Sequence, residues 1–312
     1  MTGNPLLRYL ILSILWLSPF AAANSVTPAQ LLSAYWVDNS PGLDISGLTF
    51  CHGTLLAVSD KNSSEIYALE LSPSGAALKA YQQVAGLAIP EEAPGGFLAA
   101  LSQAIRPDTA MDFEGISCDS DGVYLVSERY SRIAQLTVDG AAWLAGDWAF
   151  QVRRQGYLQK VNAGTEGLVR IGSDFWVAME REPRGLLHLP AGGEAQVFPI
   201  PAVAGLDFRG RAEDITGLAH YDGALFTLER NAFAVCRRAL RDLRAEWCID
   251  YRAIEESPEF VYTETRYGKG EGLAVDASGI YVVLDNNNVG RAADTADKRA
   301  LLLHLAFPAE VR

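Results

Sequence analysis

One pattern recurs five times along this chain and limits its folding more than any other feature. It is clearest at MDFEGISCDSDGVYLVSERY, Met111 to Tyr130, where a Gly opens a short apolar run, a turn follows, and a second apolar run ends on an acid. The other copies are LDISGLTFCHGTLLAVSDK from Leu43, GTEGLVRIGSDFWVAMER from Gly164, EDITGLAHYDGALFTLER from Glu213 and KGEGLAVDASGIYVVLDN from Lys269. From the Gly (Gly47, Gly115, Gly167, Gly217, Gly272) to the closing acid (Asp60, Glu128, Glu180, Glu229, Asp285) is 13, 13, 13, 12 and 13 residues. Self-similarity at a period of about 50 residues marks a repeat architecture.

Each copy reads as a hairpin. The two apolar runs are rich in Val, Leu, Ile, Phe, Tyr and Trp, and Asp121-Gly122, Asp222-Gly223 and Ser278-Gly279 supply turn chemistry between them. A third strand-like run follows in every copy (EIYALEL, RIAQLTV, RGLLHLP, FAVCRRAL, RALLLHLAF), and a fourth in four of them, such as AWLAGDWAFQV, EAQVFPI and AEWCIDY. Four antiparallel strands per unit predict an all-β fold, a β-propeller of four-stranded blades. The fifth copy ends after its third run, and LLSAYWVD (Leu31 to Asp38) has no unit of its own, so the N-terminal strand is expected to close the ring. The Gly-to-Gly intervals of 68, 52, 50 and 55 favour five blades, with a degenerate sixth as the alternative. The surplus in the longest interval, IPEEAPGGFLAALSQAIRP, reads as a loop with a short helix at Phe97 to Ile105.

The first residues carry one cation, Arg8, an apolar run from Leu10 to Leu17 and small residues before Asn24. That is the pattern of a secretory signal peptide over 1–23, cleaved after Ala23, with 24–312 as a single domain. The apolar run is short of a membrane span. The expected location is the periplasm or the exterior. Four cysteines suit an oxidising compartment. Cys236 and Cys248 lie on neighbouring strand-like runs and are expected to form a disulfide; for Cys51 and Cys118, at matching places in copies one and two, a link and two buried thiols remain alternatives. A net charge of −12 argues against nucleic acid or an anionic membrane as partner. A closed ring has no free sheet edge, which makes a monomer the expectation.

Hairpin geometry then locates a site. The residues beside the Gly and the closing acid must share one end of the hairpin, so five units bring their acids to one mouth of the channel. Around the Gly these are Asp44, Asp112, Glu114, Glu166, Asp214 and Glu271; Lys61, Arg129, Arg181 and Arg230 follow four of the closing acids. Crowded carboxylates must pair with cations, take up protons or bind a metal. Recurrent Glu-Arg pairs that merely hold blade to blade would explain the closing acids. Glu114, Glu166 and Glu271 are different, because two copies carry Ser46 and Thr216 there, and an asymmetric ring points to a site. Oxygen donors suit a hard ion, Ca²⁺ above all, with Glu114, Glu166, Glu271, Asp285 and Asn286 as candidate ligands. Catalytic candidates are the same three glutamates with Arg129, Arg181 and Arg230. The chain has no G-x-S-x-G, P-loop, H-E-x-x-H or C-x-x-C motif, and its four histidines are dispersed.

The repeated hairpins, especially MDFEGISCDSDGVYLVSER, TEGLVRIGSDFWVAMER and GEGLAVDASGIYVVLDN, resemble the bacterial family described as having esterase-like activity of phytase. The likeness covers roughly Leu43 to Phe307. It implies an exported propeller whose recurring Glu and Asp carry phosphoester or phosphodiester hydrolysis on a small-molecule substrate. This chain lacks a dense basic cluster, which counts against phytate itself as substrate. Ester or lactone hydrolysis at the same site and a non-catalytic binding propeller are the competing readings.

Overall fold

A computed structural model of the chain describes residues 26–73, 75–88, 90, 111–160, 163–210 and 213–309. The segment 1–23 expected to be a signal peptide and the helix expected at Phe97 to Ile105 lie outside them. Two strands come first, β1 (Val26–Pro28) and β2 (Leu31–Asp38). The first unit follows as β3 (Ile45–Cys51), β4 (Thr54–Ser59), β5 (Glu65–Ser72) and β6 (Gly75–Gln83). The second is β7 (Phe113–Asp119), β8 (Gly122–Ser127), β9 (Arg132–Thr137) and β10 (Gly140–Trp143); the third is β11 (Thr165–Ile171), β12 (Asp174–Met179), β13 (Gly185–Leu189) and β14 (Gln196–Pro199). The fourth is β15 (Gly217–Tyr221), β16 (Ala224–Glu229), β17 (Ala234–Ala239) and β18 (Ala245–Asp250). The last has three strands of its own, β19 (Gly270–Asp276), β20 (Gly279–Leu284) and β21 (Leu301–Leu305).

Strand β2 supplies its fourth member, antiparallel to β21 from Leu31↔Leu305 to Trp36↔Leu301. The end of the same strand turns to the first unit, where Val37 and Asp38 pair parallel with Ala76 and Ala77 of β6. One N-terminal strand thereby stitches the last unit to the first. Strand β1 adds a parallel fifth strand outside β18.

The hydrophobic cores lie between units, which explains why the strands read as continuous apolar runs instead of alternating ones. Successive residues of a strand face opposite sides, and here both sides are covered. In β4, Leu56 and Val58 join a cluster with Phe113, Ile116 and Leu125 of the second unit. Its Leu55 and Ala57 join another with Val283 and Leu302 of the last unit. Equivalent clusters sit between units two and three, three and four, and four and five.

The recurrent Gly is explained by close approach of the innermost strands. A Cβ on Gly115 would stand 2.4 Å from the carbonyl oxygen of Glu166, one on Gly167 2.4 Å from the amide of Leu218, and one on Gly272 3.0 Å from the amide of Leu48. Each innermost strand thus abuts the backbone of the next, and the last abuts the first. Beside the glycines, the buried side chains of Leu48, Ile116, Leu168, Leu218 and Leu273 line the central channel.

One expected strand is shorter than AWLAGDWAFQV suggests. Strand β10 stops at Trp143, and Trp148–Arg154 is a helix burying Trp148, Ala149 and Val152. That spacing marks one face of a helix, which overrides the strand-like composition. Two disulfides are formed. Cys236–Cys248 ties β17 to β18, and Cys51–Cys118 links units one and two. Such bonds suit an extracytoplasmic protein. Among the described residues no helix is long and apolar enough to cross a membrane.

Candidate functional site at the channel mouth

The backbone brings the acids together by two recurrent devices. The first is a hydrogen bond from the closing acid to the chain three residues before the Gly: Asp60 N to Asp44 O, Glu128 N to Asp112 O, Glu180 N to Gly164 O and Asp285 N to Lys269 O. The second is a bulge. In four units the pairing of the two inner strands skips at the residue before the Gly, leaving Ser46, Glu114, Glu166 and Glu271 outside the regular register. A bulge frees its extra residue and re-aims the side chain. In this ring it turns that position to the mouth, where Ser46, Glu114, Thr216 and Glu271 border the channel above the glycines.

The two halves of the mouth differ in chemistry. In unit four, and at Glu271 of unit five, the acids are paired with arginine. Arg230 donates from Nε to Asp214 Oδ2 at 2.9 Å, from Nη1 to Glu271 Oε1 and from Nη2 to Glu180 Oε1. Burial opposes its charge, but Glu271, Asp214 and Glu180 outweigh burial and hold the guanidinium firmly protonated. Asp214 also accepts from the amide and side chain of Asn231 at 2.9 and 2.7 Å. Glu229, fully buried, accepts from Arg238 Nη2 at 2.7 Å, from Thr227 Oγ1 at 2.9 Å and from Arg184. Burial raises the pKa of that carboxyl, yet Arg238 and Arg184 outweigh it and the group stays below its ordinary value.

In units one to three the acids face one another. Single oxygens of Asp60, Asp112 and Glu114 lie within 4.8 Å of one another, and so do those of Glu128, Glu166 and Glu180. Burial and then the neighbouring carboxylates push Glu114 and Glu166 well above the usual range. Glu128 rises to about 8 through burial, Asp112 and Glu180, although the Gly164 amide at 3.0 Å and Arg181 work against it. Asp60 rises to about 6 through burial despite its contact with Lys61, which also reaches Asp44 Oδ2 at 3.2 Å. One oxygen of Asp60, Oδ1, is buried with no hydrogen-bond partner.

Residues expected from the sequence divide accordingly. Glu114 and Glu166 fall in carboxylate triads, one in each. Glu271 belongs to Arg230, and burial lifts it to about 7 even so. Asp285 rises to about 8 through burial, Asp44 and Glu271, and its Oδ1 accepts from the Asn287 amide at 3.0 Å. Asn286 serves its own loop: Nδ2 donates to Lys298 O at 2.7 Å and Oδ1 accepts from the Asn288 amide at 3.0 Å. Arg181 contacts Glu180 with its side chain 26% exposed, Arg230 is the hub just described, and Arg129 follows Glu128 at the end of β8. The triad members Asp60, Asp112, Glu128 and Glu180 were absent from the expected ligand set, although their constant distance from the Gly pointed to them.

Three oxygens within 4.8 Å fit a hard cation at contacts of about 2.3–2.6 Å. Among solved structures, the chain is similar to the glutaminyl cyclase of Myxococcus xanthus, with 11% identity over 89% of this chain and 96% of that one and a TM-score of 0.53. It is also similar to the PQQ-bound aldose sugar dehydrogenase of Streptomyces coelicolor (13% identity, 89% and 98% covered, TM-score 0.45) and to virginiamycin B lyase of Staphylococcus aureus (12%, 86% and 68%, 0.41). At such identities the first likeness shows the propeller fold and nothing of activity. No curated protein matches the sequence. A family model matches residues 42–288, most of the chain, and the protein belongs to the phytase-like family, described as esterase-like activity of phytase.

Proposed function

We propose that this protein is an exported hydrolase of ester or phosphoester bonds, acting on a small molecule at the carboxylate mouth of a five-bladed propeller with a divalent cation, Ca²⁺ by donor chemistry. The observation that carries the reading is the convergence of six acids from units one to three, in two groups whose oxygens lie within 4.8 Å. Crowding of that kind costs free energy unless protons or a cation relieve it. A bound cation would polarise the ester and lower the pKa of an attacking water. Glu114, half-buried at the channel, would accept the proton of that water. Arg181, one-quarter exposed, would neutralise charge developing on the substrate, while Arg230 fixes Glu180 and Glu271. Two disulfides and the leader-like N-terminus support export, and the closed ring supports a monomer.

The other half of the mouth favours a second reading. Asp214, Glu229 and Glu271 are each held by arginine, as a propeller that only binds a ligand would hold its structural acids. A panel of aryl phosphomonoesters, phosphodiesters, carboxyl esters and lactones, assayed with Ca²⁺ and with chelator, separates the two. The hydrolase reading expects turnover of at least one class, lost in chelator and reduced roughly 100-fold or more in Glu114→Gln. No turnover of any class would leave the binding propeller.

A further inference from the structure

We infer that the mouth holds one divalent cation, between units two and three on Glu128, Glu166 and Glu180, and that Arg230 is a built-in cation filling the corresponding place one unit further round. The assignment rests on the cation-dependent reading above and narrows it to one place.

The argument compares successive interfaces. Between units one and two meet a closing acid (Asp60), an acid three residues before the Gly (Asp112) and an acid just before it (Glu114). Between units three and four the same positions are Glu180, Asp214 and Thr216. The Thr216 hydroxyl turns away to Gly270 O at 2.8 Å, and the guanidinium of Arg230 lies against both Glu180 and Asp214. An acid has been exchanged for a neutral residue and a cation has been supplied by the chain. The interface between units two and three has the opposite arrangement. Gly164 stands where the two flanking interfaces have Asp112 and Asp214, and its missing Cβ leaves room for Glu128, whose Cγ is 2.4 Å from that position. Glu166 keeps the acid before the Gly, and Glu180 turns in as the third donor.

A cluster of acids alone would not make a site. Here Glu166 is only 7% exposed, its oxygen lies within 4.8 Å of those of Glu128 and Glu180, and among the described residues it has no hydrogen-bond or ion-pair partner. A buried carboxylate without a partner is costly, and a cation at this point would satisfy it. Glu180 has its Oε1 committed to Arg181 and Arg230, so Oε2 is the oxygen it has to offer. Asp60 in the other group also has a buried oxygen without a hydrogen-bond partner, Oδ1, but the charge of that carboxylate is already met by Lys61, whereas Glu166 contacts no cation among the described residues.

Calorimetric titration of the mature chain with CaCl₂, and separately with MgCl₂ and MnCl₂, tests the assignment. Expected is one ion per chain for at least one of them, weakened by at least roughly tenfold in Glu166→Gln and in Glu128→Gln, the loss that even an outer-shell partner costs a metal site. Asp112→Asn, which removes a charge that acts on Glu128 but no proposed ligand, should weaken binding less than either of them. Thermal unfolding in chelator shows whether each variant is folded, and the rise in Tm on adding the ion should vanish in Glu166→Gln alone of the pair Glu166→Gln and Asp112→Asn. No binding of any ion by the parent overturns both this site and the cation-dependent reading. Binding as tight in Glu166→Gln as in the parent, or lost in Asp112→Asn, overturns the site and leaves that reading standing.

Discussion

Arg230 and Glu166 show how differently two buried charges weigh at this mouth. Arg230 meets three carboxylates, two of them almost wholly buried. Replacing it with Met leaves Glu271 without its cation, Asp214 with Asn231 alone and Glu180 with Arg181 alone. Breaking such a network costs about 3–5 kcal/mol. Urea unfolding of Arg230→Met should show a loss of that order, and a variant as stable as the parent would mean that the network contributes nothing net. Glu166 has the opposite expectation. Its neighbours Glu180, Glu114 and Glu128 repel its charge, and burial opposes it first. In chelator Glu166→Gln should therefore raise Tm, since a neutral amide carries no such penalty. A fall in Tm would show that the carboxylate is held by a favourable interaction in the metal-free protein. Sequence alone marks both residues as exceptional, one by its place after a closing acid and one by its asymmetry around the ring. It does not show which acids the arginine chooses, because that depends on side chains meeting across two interfaces.

At the scale of the strand, the recurrent Gly was legible as a marker while its purpose was not. The chain repeats it because the innermost strands lie too close for any side chain, and that closeness depends on how few units share the ring. Gly115→Ala puts a methyl 2.4 Å from the Glu166 carbonyl, and Gly167→Ala puts one at the same distance from the Leu218 amide. Backbone cannot swing aside as a flexible side chain can. Each substitution should cost at or beyond the upper end of the usual overpacking range, about 3 kcal/mol. A neutral result in thermal unfolding would mean that neighbouring strands part easily. The hairpins, their turns and the exchange of β2 into the last unit follow from apolar runs and spacing. The helix Trp148–Arg154 does not, since WAFQV has strand-like composition and only the burial of Trp148, Ala149 and Val152 on one face selects helix. The bulges were equally hidden, and they aim the glutamates.

For the molecule as a whole, the raised carboxyls set the direction of the pH dependence. Burial foremost lifts Glu128 and Asp285 to about 8 and Glu271 to about 7. In the unfolded chain such groups titrate near 4. Between those limits the folded protein binds more protons than the unfolded one, so stability falls as pH rises. The contribution is fully present below about pH 4 and is lost progressively up to about pH 8. Glu229 and Asp297, held low by arginines, act in the other direction and only in acid, where their pairs are lost. The metal-free protein should therefore be most stable in mild acid, with Tm declining from about pH 5 to pH 8. A divalent cation needs the carboxylates without their protons, so added Ca²⁺ should raise Tm strongly at pH 8 and hardly at pH 5. Melting curves across that range, with chelator and with calcium, check both slopes. A flat metal-free profile would show that the acids of the mouth keep ordinary pKa values. Equal stabilisation by calcium at both ends would place the ion away from them.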